Sequence, residues 1–174
     1  MINKVFGIVG WSGSGKTDLT CRIIKYLSKK KICVSSIKHS HHTFEIDKKG
    51  KDSFKHLQSG SNEVIIFNEK KWALMRTLQI KKVKLDDIIT KLSKKTDVIL
   101  IEGLKYSKIP KLEVVRKKIS KPLICENDNY IKAIVFDENS KKLSKIDLPK
   151  FKFSETNKIG DFISPLNFKT AKCS

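Results

Sequence analysis

The sequence predicts an α/β fold with a mainly parallel sheet, and three observations carry that reading. Short apolar runs rich in β-branched residues recur along the chain at Val5 to Val9, Ile32 to Ile37, Val64 to Phe67, Val98 to Ile101 and Ala133 to Phe136. Each has the length and composition of a parallel strand buried on both faces. Helical spacing appears between them, with Leu19, Ile23, Tyr26 and Leu27 over residues 16 to 30 and Leu85, Ile88, Ile89 and Leu92 before the fourth run. Finally, a glycine-rich segment joins the first strand to the first helix, and strand, helix, strand is the βαβ pattern.

In chain order, the first strand passes through GWSGSGKT at 10 to 17 into the helix over 16 to 30, and the second strand follows. The run at 64 to 67 predicts a third strand, and the helix from Leu85 leads into the strand ending at Ile101. Residues 104 to 130 fit the rhythm less well: KLEVVRKK alternates like a strand and ENDN reads as a turn, so a strand or hairpin outside the regular βα order is expected here. Ser154 is placed to cap a last short helix that buries Ile159, Phe162 and Ile163 and stops at Pro165.

With 174 residues and no Pro/Gly/Ser-rich linker or repeat, the chain is expected to form one domain over 1 to 174. No run of hydrophobic residues exceeds four, far short of the ~20 that span a bilayer, and the N-terminus lacks the apolar core of a secretion signal. A cytoplasmic protein without membrane association is the expectation. Cys21, Cys33, Cys125 and Cys173 lie far apart without a C-x-x-C pair, which predicts reduced thiols rather than a zinc site or disulfide framework. The formal charge of +19 invites a nucleic-acid reading, but the lysines spread along the whole chain and no binding motif or aromatic stacking patch accompanies them. Solvated surface is the simpler account, and no specific nucleic-acid partner is expected.

GWSGSGKT fits G-x-x-x-x-G-K-[ST], the phosphate-binding loop or Walker A motif. Gly10, Gly13 and Gly15 let successive backbone N–H groups turn inward around an anion, where a Cβ would obstruct the turn or the phosphates. The helix that follows presents its unpaired N–H groups and the positive end of its dipole. Lys16 reaches the β- and γ-phosphates, and the Thr17 hydroxyl is placed to ligate Mg²⁺. A purine nucleoside triphosphate with Mg²⁺ is the expected ligand; the loop touches only phosphates and does not choose the base, and the N-K-x-D guanine signature is absent.

DVILIEGLK ends a buried strand on Glu102 followed by Gly103. Ligands of open α/β sheets gather at the carboxyl ends of the strands, so Glu102 should lie near the phosphate loop as a direct or indirect Mg²⁺ partner. The segment IKHSHHTFEIDKKGKDSFKHLQSGS at 37 to 61 follows the second strand and holds all four histidines. His39, His41 and His42 suggest a Zn or Ni site only weakly, since no fourth ligand stands at a typical spacing. Contact with phosphates or a pterin through Lys38, Lys51 and the imidazoles is a second reading, and Asp47 and Asp52 could each support Mg²⁺.

GWSGSGKT, KHSHH followed by DKKGKDS, KWALM at 71 to 75 and VILIEGLK occur in an order and at spacings that resemble the molybdopterin-guanine dinucleotide biosynthesis adapter (MobB) family. The resemblance covers most of the chain. It implies a P-loop NTPase-like three-layer sandwich with a mainly parallel sheet and a small strand or hairpin extension. It further implies a homodimeric GTP-binding adapter with weak GTPase activity, assisting a MobA-like guanylyltransferase that joins GMP to molybdopterin. On this resemblance Gly10, Trp11, Ser12, Gly13, Ser14, Gly15, Lys16 and Thr17 would bind GTP, with Thr17, Glu102 and Asp47 or Asp52 near Mg²⁺. Lys16, Asp47, Asp52 and Glu102 would then carry the chemistry, Lys38, His39, His41, His42 and Lys51 would line the cleft, and Lys111 and Arg116 would contact an anion. The competing function is an independent P-loop kinase of a small molecule, with Asp47 or Asp52 as base.

Overall fold

The computed structural model describes residues 4–40, 47–78 and 83–164. Its elements in chain order are β1 (Lys4–Gly10), α1 (Lys16–Lys29), β2 (Val34–Lys38), α2 (Asp52–Gln58), β3 (Glu63–Phe67), β4 (Trp72–Arg76) and α3 (Leu85–Ile89). They continue with β5 (Val98–Glu102), β6 (Lys111–Val115), a 3-10 turn at Ile124–Glu126, β7 (Ile131–Phe136), α4 (Lys141–Ser144), β8 (Lys150–Lys152) and α5 (Thr156–Ile163). Two compact units result: one is built from the chain up to His39 and from Leu92 onward, and the other is Ser40–Lys91.

The first unit is a six-stranded sheet in the order β2-β5-β1-β6-β7-β8, with every neighbouring pair parallel. Chain connections leave β1 in the middle with β5 on one side and β6 on the other, which creates a switch point at its carboxyl end. Register brings Glu102 level with Ile8, two residues before the glycine that opens the phosphate loop. One face of the sheet buries Phe6, Ile8, Leu100, Leu112, Val114 and Val135 against Leu19, Ile23 and Leu27 of α1 and Ile159 and Ile163 of α5. Each such α1 side chain contributes about 1.5–3 kcal/mol by leaving water. Arg22 ties the two helices together by donating to the Phe153 carbonyl (2.9 Å) and to the Thr156 hydroxyl. A smaller apolar group of Leu123, Ile134 and Leu143 lies elsewhere in this unit.

The second unit contains α2, α3 and the antiparallel pair β3 and β4. The run at Val64 to Phe67 therefore forms a strand, but it is not a buried member of the parallel sheet: Ile65, Ile66 and Phe67 are 60%, 46% and 79% exposed. Three further expectations change. KLEVVRKK supplies β6, an interior strand between β1 and β7 rather than an element outside the sheet. Helix α5 starts at Thr156 with Glu155 at its N-cap and no side-chain cap, so Ser154 does not cap it. Cys21 and Cys125 are free thiols as expected, whereas Cys33 is disulfide-bonded.

Candidate functional site

The loop between β1 and α1 is shaped by close approaches as much as by torsions. Gly10 packs so tightly that a Cβ there would lie 2.5 Å from the Val114 carbonyl oxygen and 2.7 Å from Ser14 Oγ. Gly15, at φ 86°, is the left-handed N-cap of α1 and has no side chain to satisfy the first N–H groups of the helix. Those donors and the helix dipole are left for an anion. Ser14 Oγ is buried without a hydrogen-bond partner, a second polar group whose bonding capacity the protein leaves unused. Lys16 Nζ donates to the Trp11 carbonyl at 2.9 Å, so its ammonium folds back over the loop. These donors fit a polyphosphate.

Glu102 stands beside them. The Thr17 hydroxyl donates to Glu102 Oε1 at 2.7 Å, and Lys38 Nζ lies 3.5 Å from the same oxygen. The His39 backbone N–H donates to the Glu102 carbonyl at 2.9 Å, holding His39 at the same sheet edge. A hydroxyl and a carboxylate in contact, next to a phosphate cradle, are oxygen donors of the kind Mg²⁺ favours. Burial lowers the Lys16 ammonium from its ordinary value; Glu102 opposes this, while Lys105 and Lys38 add to it by repulsion.

The loop is braced from behind by Arg116, whose Nε donates to the Ser14 carbonyl at 3.0 Å while its guanidinium stacks 3.6 Å from the Phe153 ring centroid and pairs with Asp137. Arg116 thus supports the loop backbone. Lys111 is fully buried, paired at 2.8 Å with Asp128 and donating to the Ser107 carbonyl, which removes it from any anion contact at the surface. Lys105 was not singled out by the sequence; its ammonium sits 3.9 Å from the Trp11 ring centroid. The only clue was its place three residues after Glu102 in VILIEGLK.

The structure therefore brings Gly10 to Thr17, Lys38, His39 and Glu102 to one sheet edge of the first unit. Asp47, Lys51 and Asp52 belong to the second unit, where Asp47 Oδ1 accepts from the Lys48 N–H and Asp52 pairs with Lys55. His41 and His42 lie outside the described residues. Among the described residues no group of three or more His, Cys, Asp or Glu could hold a metal ion, and no helix is long and apolar enough to cross a membrane.

Comparison with known proteins bears directly on this arrangement. The family model described as Molybdopterin guanine dinucleotide synthesis protein B (MobB) matches residues 5–137, from β1 through β7. The chain belongs to the MobB family. The Molybdopterin-guanine dinucleotide biosynthesis adapter protein of Haemophilus influenzae is 44% identical over 131 residues, covering 75% of this chain and 72% of that one. Its namesake from Escherichia coli K12 is 34% identical over 114 residues, covering 64% of this chain and 65% of that one. A solved structure titled molybdopterin-guanine biosynthesis protein B (mobB) superposes with a TM-score of 0.70 at 26% identity, covering 91% of this chain and 95% of that one. The MobB match spans both the phosphate loop and the second unit, and ends before β8 and α5.

Proposed function

We propose that this MobB-family chain is a cytoplasmic GTP-binding adapter that assists a MobA-like guanylyltransferase in joining GMP to molybdopterin, with weak GTPase activity of its own. The observation that carries the nucleotide part is the phosphate cradle beside the Thr17–Glu102 contact at 2.7 Å. Backbone N–H groups of Gly10 to Thr17 bind the β- and γ-phosphates, Lys16 turns from the Trp11 carbonyl to the phosphates, and Thr17 and Glu102 would hold Mg²⁺, which would supply charge neutralisation there. Lys38 and His39, beside Glu102 at the same sheet edge, line the cleft. Guanine as the base rests on the family and not on a contact.

The arginines support slow hydrolysis. Arg22, Arg76 and Arg116 are each committed to an ion pair, with Asp18, Glu63 and Asp137, so none stands free to stabilise transferring charge. Exposed Ile65, Phe67 and Trp72 on the β3–β4 hairpin support a homodimer, because such an apolar strand pair favours being covered. Binding of GTP, ATP and GDP measured in parallel, with and without a pterin-nucleotide transferase, tests the reading. GTP preference and a complex strengthened by GTP are expected; rapid multiple-turnover consumption of nucleotide dependent on one small acceptor would instead establish a kinase.

A further inference from the structure

A cavity of about 550 Å³ opens beside the phosphate loop, bounded by Trp11, Lys105, Tyr106, Lys108, Asp128 and Tyr130. Among the described residues of the first unit, the large exposed hydrophobic side chains are Tyr106, at 85%, and Tyr130, at 40%, and both line this cavity. Tyr106 stands out in water, and Tyr130, whose ring centroid lies 5.5 Å from Lys111 Nζ, is partly exposed, so each offers ring surface to a flat ligand. The walls are pinned. Trp11 Nε1 donates to the Pro122 carbonyl at 2.8 Å, and Glu113, buried under the 122–126 segment, accepts from the N–H groups of Ile124 and Cys125 at 2.8 and 2.9 Å.

The polar groups are of two kinds. Asp128 is fixed by Lys111 at 2.8 Å and by the Tyr130 N–H at 2.9 Å, yet its side chain keeps 14% exposure and further lone pairs. The side-chain amides of Asn127 and Asn129, which also line the cavity, make no hydrogen bond among the described residues. A carboxylate between two free amides matches a heterocycle edge carrying adjacent N–H donors and a carbonyl, as in a 2-amino-4-oxo-pyrimidine ring. Lys105 and Lys108 add two ammonium groups for an anionic substituent, and Lys105 is close enough to Lys16 for their charges to repel.

We propose that this cavity binds a pterin bearing a phosphate, next to and at the same time as the nucleotide in the phosphate loop. The ring stacks on Tyr106 and Tyr130, its pyrimidine edge bonds to Asp128 and the flanking amides, and its phosphate meets Lys105 and Lys108. The identity of the ligand rests on the adapter reading above; the cavity and its chemistry stand on the geometry. The adapter would then hold the pterin substrate itself, and Lys105 would let each anionic ligand sense the other.

Neopterin monophosphate, a stable fluorescent member of this class, is titrated by anisotropy onto the full chain. Saturable binding of one molecule per chain is expected, persisting with a saturating non-hydrolysable GTP analogue. Tyr106→Ala and Lys108→Ala should each weaken it about tenfold, the scale of losing one aromatic stacking partner or one ion contact. Both variants should bind the GTP analogue as the parent does, which shows that they are folded. Lys16→Ala should lose the analogue and keep the pterin. Failure of neopterin monophosphate to bind, displacement by the analogue, loss in Lys16→Ala, or indifference to both cavity variants overturns the proposal. If instead the parent chain fails to bind the GTP analogue while the pterin binds, the nucleotide reading falls and the cavity stands.

Discussion

Replacing Gly15 by Ala adds one methyl group where the structure imposes two separable penalties. The residue sits at φ 86°, a left-handed conformation that costs a non-glycine residue about 1–2 kcal/mol. The new Cβ would also lie 2.8 Å from Arg116 Nη2 and 3.0 Å from Phe153 Cζ. Neither neighbour moves cheaply, because the guanidinium is stacked on that same ring and bonded to the Ser14 carbonyl. Overpacking of this kind costs about 1–3 kcal/mol, so the total is about 2–5 kcal/mol. Gly13→Ala is the control: its φ of 76° carries the same backbone penalty, but the nearest atom to its Cβ is Ile119 Cδ1 at 3.9 Å. Urea unfolding followed by circular dichroism should show Gly15→Ala less stable than Gly13→Ala by about 1–3 kcal/mol, at an unchanged slope with denaturant. Equal stability of the two variants, within about 0.5 kcal/mol, would refute the role of Arg116 as the brace behind the loop.

Lys16→Ala should weaken triphosphate binding by about 3 kcal/mol or more in calorimetry, the scale of removing one partner from a buried charge pair. Glu102→Gln should leave Mg²⁺-free nucleotide binding no weaker, since a negative charge beside the phosphates is gone, while Mg²⁺-dependent GTP hydrolysis falls; equal hydrolysis by phosphate release removes Glu102 from the metal site. Lys111→Met strands Asp128 without its buried partner and should destabilise the fold by about 3–5 kcal/mol in chemical unfolding. The depressed Lys16 has a worked sign: below its ordinary 10.5 the free site holds less proton than the nucleotide-bound site, so binding takes up protons and weakens as pH rises through the depressed value. Calorimetry in buffers of different ionisation enthalpy reads that uptake, and Lys16→Met should abolish it.

What could be read in the sequence was what chemistry forces into a fixed local order. Gly10 to Thr17 must be contiguous to wrap a phosphate, and Glu102 must end an apolar strand to reach it, so both were legible and both meet at one sheet edge. The place of β6 inside the sheet is hidden in the sequence because Lys111 and Glu113 make KLEVV look half-solvated. They are 0% and 1% exposed, their charges met by Asp128 and by the N–H groups of Ile124 and Cys125 from distant segments. No local pattern announces such partners. The run at Val64 to Phe67 failed in the opposite direction: an apolar strand says that it wants cover, not which surface provides it. Nor does any linker mark residues 40–91 as a compact unit of their own, since the sequence around residues 40 and 91 is polar and not rich in Pro or Gly.

The surplus of positive charge acquires meaning only where lysines outnumber their partners at close range. Lys117, Lys142 and Lys158 pair with single acids in water, at 2.5, 3.1 and 2.6 Å, where solvent screens the attraction. Around the phosphate loop the balance differs: Lys38 and Lys105 both repel Lys16, and Glu102, which attracts Lys16 and pairs with Lys38, already accepts from Thr17. Repulsion left over among the three ammonium groups is what a bound polyanion relieves. Burial is the larger cause of the lowered Lys16 ammonium, with Lys105 and Lys38 adding to it and Glu102 opposing it, so a ligand that neutralises Lys105 from the cavity side should ease protonation of Lys16.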